Sequence, residues 1–158
     1  MAYTIGKKFE DKFQRDWVKS FPNSFCLRLP DQMTGYYNTS RNICDFICFT
    51  NSKLFLIECK THKGASIPID NITQYDRLIQ YKKLKDVYPC VILWLYEKDV
   101  VYYIPIQTVE KIKKDGKKSI GLKAVEEGYD IITIPSVKLR TFMDSDYSIL
   151  DFKENDNE

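Results

Sequence analysis

Asn42-Ile43-Cys44-Asp45-Phe46-Ile47-Cys48-Phe49-Thr50-Asn51-Ser52-Lys53-Leu54-Phe55-Leu56-Ile57-Glu58-Cys59-Lys60 is the stretch that decides the reading of this chain. Two apolar runs flank the turn residues 50–53, a pattern that predicts a β-hairpin. With the turn centred on Asn51 and Ser52, Thr50 faces Lys53 and Phe49 faces Leu54, and counting outward sets Asp45 opposite Glu58. Side chains opposed across an antiparallel pair lie about 4.5 to 5.5 Å apart at Cβ, where like charges repel unless something neutralises them. Alternation puts Glu58 and Lys60 on one face and turns Cys59 to the other. Asp45, Glu58 and Lys60 are therefore expected on one patch.

A divalent cation would neutralise that pair of carboxylates. Hard oxygen ligands beside an ammonium suit Mg²⁺, with Mn²⁺ as a substitute, and the Cys59 carbonyl offers a further oxygen. Such an ion activates water and stabilises a phosphate's developing charge, while Lys60 orients the nucleophile; the chemistry implied is phosphodiester hydrolysis. The competing reading is a hairpin face whose charges merely sit in water. Against it, the polar residues interrupt apolar strands and line up across the turn. A bulge or an odd-length turn would change the outcome, because a one-residue slip moves side chains to the opposite face.

These residues resemble a known signature. Asp45 followed by Glu58-Cys59-Lys60 is similar to the D…ExK motif of the PD-(D/E)XK nuclease superfamily. Within it, Ser66-Ile67-Pro68-Ile69-Asp70-Asn71 and Gly116-Lys117-Lys118-Ser119-Ile120 resemble the RecU-type Holliday junction resolvases, in a compact phage-type form. The resemblance implies an α/β, restriction-endonuclease-like fold with a central mixed β-sheet flanked by helices and a stalk-like loop. It also implies a dimeric, Mg²⁺-dependent endonuclease that nicks four-way DNA junctions symmetrically. Nucleases of the superfamily often carry a helical glutamate at the site, a place Glu10 could fill. A glutamine often found after the ExK strand has two counterparts, Gln74 and, by spacing, Asp76, of which Gln74 is favoured. Two alternatives stay open: a restriction-like or repair endonuclease acting on other DNA structures, and a catalytically silent DNA-binding module of the same fold.

Outward from the hairpin, Thr4 caps a helix over 5–19 with Ile5, Phe9, Phe13 and Trp17 on one stripe. Glu10 lies beside that stripe, either at the site or solvated. A strand over 25–29 ends at Pro30, and a polar loop over 31–41 follows. Tyr36 and Tyr37, with Arg28 and Arg41 nearby, suit stacking on unpaired bases; they equally suit a connection that covers the hairpin. Beyond Lys60, Lys63 and Ser66 precede a helix beginning near Asn71 or Thr73, with Ile72, Tyr75, Leu78, Ile79 and Leu84 at helical spacing. Residues 89–96 read as a strand buried on both faces, which makes Trp94 core, and 100–106 as its neighbour. Thr108 caps a basic helix to Lys114, and Lys117, Lys118 and Ser119 offer a phosphate-binding set or a solvated loop. A helix over 122–127 closed by Gly128, a strand over 129–134 and an ill-defined C-terminal segment complete the chain.

The length of 158 residues fits one domain, 1–158, and 44% hydrophobic residues argue against disorder. The acidic tail over 151–158 is expected to be disordered. No apolar run approaches a membrane span and the N-terminus lacks a signal-peptide pattern, so no membrane partner and a cytoplasmic setting are expected, the host cytoplasm if phage-encoded. Five cysteines without a C-x-x-C pair read as reduced, buried thiols rather than a zinc site. The single histidine, His62, reads as a loop side chain. A net charge of +2 makes no nucleic-acid claim by itself; local lysine clusters carry that reading.

Overall fold

A computed structural model describes residues 4–30 and 42–151. The hairpin forms as its sequence dictates: β2 (Phe46–Thr50) and β3 (Lys53–His62) pair antiparallel, with Thr50 against Lys53 and Phe46 against Ile57. Asn51 and Ser52 both have positive φ, 48° and 62°, which gives the right-handed twist that a two-residue hairpin turn requires. Helix α1 (Ile5–Ser20) starts where Thr4 Oγ1 accepts the Lys7 N–H at 3.2 Å. Its stripe of Phe9, Phe13 and Trp17 is buried against β2 and β3, whereas Ile5, in the first turn, is exposed.

Strand β3 is the centre of a six-stranded mixed sheet in the order β1-β2-β3-β5-β6-β8. Here β1 spans Phe25–Arg28, β5 Val87–Leu95, β6 Val100–Pro105 and β8 Ile132–Thr133. Strands β3 and β5 are parallel and their neighbours antiparallel, so β5 is covered on both faces, and Trp94 is core. One face packs Phe55, Ile57 and Cys59 under α1 and the C-terminal segment. The other packs Leu56, Val91 and Leu93 under α3 (Ile106–Lys114) and α4 (Leu122–Glu126). The expected central mixed sheet flanked by helices is therefore the observed architecture. Between these strands, β4 (Ser66–Pro68) pairs antiparallel with β7 (Ser119–Gly121), which joins the two short motifs singled out in the sequence. A Cβ on Gly121 would lie 1.9 Å from the Ala65 carbonyl oxygen, so only glycine permits this approach.

Several elements depart from the sequence expectation. The helix expected after Asn71 is broken into a 3₁₀ turn (Ile69–Asn71), a single α turn, α2 (Tyr75–Leu78), and a second 3₁₀ turn (Ile79–Tyr81). No side chain caps its start, and a one-turn helix adds few hydrogen bonds beyond its nucleus. Helix α3 begins two residues before Thr108, because Pro105 ends β6 and its fixed φ leads into the helix; Thr108 is buried and donates to the Asp130 carbonyl at 2.7 Å. The last sheet strand shrinks to Ile132–Thr133. The C-terminal segment is ordered, as a ribbon of β9 (Ser136–Lys138) and β10 (Met143–Ser145) followed by a 3₁₀ turn (Tyr147–Leu150).

That ribbon is fastened to α1 by a buried polar network. Asp16 is 3% exposed; its carboxylate accepts from the Lys12 ammonium and, at 3.1 Å, from the Ser145 N–H. Lys12 also donates to Asp144 at 2.8 Å. Burial holds the Asp16 carboxyl above the usual carboxylate range in spite of these donors. Among the described residues all five cysteines are free thiols, four of them buried, as expected for a reduced protein. Among the described residues no helix is long and apolar enough to cross a membrane.

Candidate active site

The hairpin ladder delivers Asp45, Glu58 and Lys60 to neighbouring positions, with one change from the sequence count. The Asp45 N–H donates to the Ile57 carbonyl at 2.9 Å, although in the ladder Ile57 is the partner of Phe46. Two residues on one strand thus share one on the other, a bulge that ends β2 at Phe46 and displaces Asp45 from direct opposition to Glu58. Its carboxylate reaches along β3 instead, and Asp45 Oδ2 accepts the Cys59 N–H at 2.8 Å. The two carboxyl groups remain close enough for Asp45 to raise the Glu58 pKa.

Glu58 is 1% exposed on the face it shares with Leu56 and Lys60. Burial pushes its carboxyl up to about 7; Lys60 and the Gln74 backbone N–H oppose the shift and Asp45 adds to it. Glu58 Oε1 is well served: Lys60 Nζ lies 3.3 Å away and Thr73 Oγ1 donates to it at 3.3 Å. Glu58 Oε2 is buried without a hydrogen-bond partner, and so is Gln74 Oε1. Among the described residues, the other buried unpartnered side-chain atoms belong to the aromatic side chains of Trp17, Trp94 and Tyr147. Glu58 and Gln74 therefore present two unserved oxygens from residues that the Gln74 N–H joins. Such groups are costly unless something fills the place beside them.

A divalent cation fits this donor set. Among the described residues no group of three or more His, Cys, Asp and Glu side chains could hold a metal alone. Mg²⁺, however, takes one or two carboxylates and completes its shell with water and substrate phosphate. Asp45, oriented by the Cys59 N–H, and the unserved Oε2 of Glu58 are oxygens of the required kind.

The remaining candidates divide. Gln74 lies at the site, while its counterpart Asp76 is exposed on α2. The Glu10 carboxylate is held by Arg28 at 2.6 Å, with Lys7 3.9 Å away, on the α1 side of the sheet. It acts on the Cys59 thiol rather than standing among the groups that shift Glu58. Arg28, expected to face nucleic acid, is committed to Glu10 and Asp11, and Lys117 is paired with Glu127. Lys63 and Lys118 are exposed, and Ser66, Lys118, Ser119 and Lys123 line a groove of about 340 Å³ along the β4–β7 pair. Tyr36, Tyr37, Arg41, the rest of the expected stalk-like loop and residues 152–158 of the acidic tail lie outside the described residues. Among the described residues His62 makes a local contact, its Nδ1–H donating to the Lys63 carbonyl at 2.7 Å. Sequence reasoning missed Thr73 and Gly121; a threonine directly before the favoured glutamine, and a glycine closing the second motif, were the available signals.

Comparison with known proteins bears on this arrangement. The structure is similar to Hjc, a Holliday junction resolvase from the archaeal hyperthermophile Archaeoglobus fulgidus, with a TM-score of 0.55 over 78% of this chain and 94% of Hjc. At 17% identity that likeness shows a shared fold. In sequence, 85 residues (54% of the chain) are 29% identical to a putative long chain fatty acid-CoA ligase, VraA, of Staphylococcus haemolyticus, of which the chain spans only 17%. The family model described as RecU, Recombination protein U, matches residues 28–144, from the end of β1 into β10. The chain belongs to the RecU family, the Holliday junction resolvase family that its D…ExK hairpin and paired short motifs resemble.

Proposed function

We propose that this protein is a metal-dependent, structure-selective DNA endonuclease that resolves four-way junctions by symmetric nicking. The observation that carries the reading is the buried, unserved Oε2 of Glu58 next to a second carboxylate and an ammonium. Asp45 and Glu58, with the Cys59 carbonyl, would hold Mg²⁺ or, in its place, Mn²⁺. When bound, the ion would supply a water of lowered pKa and neutralise charge building on the scissile phosphate. Lys60 orients the attacking oxygen and adds positive charge beside it. Gln74, through its backbone N–H, fixes Glu58, and its unserved side-chain oxygen would accept a hydrogen bond from a water or substrate group beside it. Glu10 acts at one remove, through Arg28 on the strand next to Asp45.

Lys63, Ser66 and Lys118 bind backbone phosphates, and Lys117 does so by exchanging Glu127 for phosphate. Tyr36, Tyr37 and Arg41 would contact unpaired bases of the junction, while Arg28 stays with Glu10 and Asp11 on the protein side. Two protomers act together, since a two-fold junction calls for a two-fold pair of sites. The setting is the cytoplasm in which DNA is processed.

A synthetic four-way junction incubated with the protein tests the reading: paired nicks in opposed strands are expected with Mg²⁺ and none without divalent cation. Asp45→Asn should abolish cutting and leave junction binding intact. Equal cutting of linear duplex would favour a restriction-like or repair enzyme. Salt-sensitive binding with no nicking in Mg²⁺ or Mn²⁺ would favour a silent binding module.

A further inference from the structure

Thr73 belongs to no motif and sits exposed in the turn before α2. Its hydroxyl nevertheless donates to Glu58 Oε1 at 3.3 Å and accepts from Lys60 Nζ at 3.5 Å. With Lys60 Nζ itself 3.3 Å from the same Oε1, carboxylate, ammonium and hydroxyl close a triangle. A hydroxyl suits the third corner because it both gives a proton to the carboxylate and offers lone pairs to the ammonium; an amide or a second ammonium at that atom would lack one of the two functions.

The consequence is a division of labour between the two Glu58 oxygens. Oε1 is occupied by Thr73 and Lys60, and Oε2 is left without a hydrogen-bond partner. Among the described residues, Glu58 and Thr73 are the polar partners of Lys60, whose long side chain otherwise has rotamer freedom to lose on ordering.

We infer that Thr73 is a positioning residue of this site: its hydroxyl fixes which Glu58 oxygen is open to a divalent cation and holds the Lys60 ammonium beside it. The inference rests on Glu58 being a cation ligand, as proposed above. The plainer account makes Thr73 an ordinary turn residue whose hydroxyl contacts are incidental, and it forecasts that removing the hydroxyl changes nothing at Lys60 or Glu58.

Thr73→Val removes the hydroxyl at nearly constant shape, and Thr73→Ser keeps it; Thr73→Ala repeats the loss if valine disturbs the turn. On metal-free protein, the Lys60 ε-methylene resonance should sharpen toward that of a mobile lysine in Thr73→Val and stay broad in Thr73→Ser. Titration with Mn²⁺ alone, followed by the electron paramagnetic resonance of the free ion, should show affinity falling roughly tenfold, the lower end of the effects seen when a ligand's supporting partner is removed. Thr73→Ser should restore both. Wild-type Lys60 dynamics and wild-type Mn²⁺ affinity in Thr73→Val and Thr73→Ala would overturn the assignment while leaving the nuclease reading in place. A parent protein that neither binds Mn²⁺ nor nicks a junction would instead overturn the nuclease reading, and the role of Thr73 with it.

Discussion

Two carboxylates, Asp16 and Glu58, are buried on opposite sides of the same sheet, at 3% and 1% exposure, and they have opposite fates. Asp16 meets a lysine and a backbone N–H, one on each oxygen, and ties α1 to the C-terminal ribbon. Glu58 meets Lys60 and Thr73 on one oxygen and has no hydrogen-bond partner on the other. Burial raises both groups above the usual carboxylate range, so the difference is not one of depth. It lies in completeness. A closed network belongs to the scaffold, whereas a network missing one partner marks a place where something from outside the chain completes it.

The comparison breaks most visibly in activity. Glu58→Gln should lower the single-turnover nicking rate about a thousandfold or more, since charge stabilisation by a bound ion contributes several kcal/mol. Asp16→Asn should leave the rate per folded molecule unchanged, and equal losses in the two variants would erase the distinction. Stability should respond the other way round. Asp16→Ala leaves the buried Ser145 N–H without its acceptor and Lys12 with Asp144 alone, and thermal or urea unfolding should show a loss of about 2 kcal/mol.

A third outcome concerns pH in the absence of metal. The folded-state pKa of Glu58, about 7, lies above the unfolded value of about 4.3, so its contribution is fully present below the unfolded value and is lost as pH rises through 7. Metal-free protein should therefore weaken across this window by up to about 4 kcal/mol, an upper bound for that shift. Glu58→Gln should remove the decline, and Mg²⁺ should offset it in the parent protein. Urea unfolding at pH 5 and pH 8, with and without Mg²⁺, measures all three. The smallest effect is expected at the surface. Lys117→Ala breaks a satisfied but half-exposed pair with Glu127, and unfolding should register less than about 1 kcal/mol.

The hairpin was legible because its information is local: a two-residue turn and strict alternation set a ladder that can be counted from the turn outward. The count failed at one residue. The bulge at Asp45 depends on how the chain enters β2 alongside β1, where the Leu29 N–H meets the Asp45 carbonyl, and no periodicity records that. The helix expected after Asn71 failed for a related reason. Apolar spacing there is satisfied by short turns packed on the sheet, and nothing in the pattern distinguishes a continuous helix from such turns. The C-terminal ribbon is held by contacts to α1 from the far end of the chain, so its own residues gave little sign of it.

The sequence by itself determined the strands and the pairing of the central hairpin, the apolar stripe of α1, and the residue types at the site, because each follows from near-neighbour periodicity and turn chemistry. The tertiary structure alone decided which charges remain available. It tied Arg28 to Glu10 and Lys117 to Glu127, brought Thr73 and Gln74 to Glu58 from across a broken turn, and left one oxygen unserved. A partner's arrival from a distant segment depends on packing, and only packing sets the burial that makes an unpaired oxygen costly.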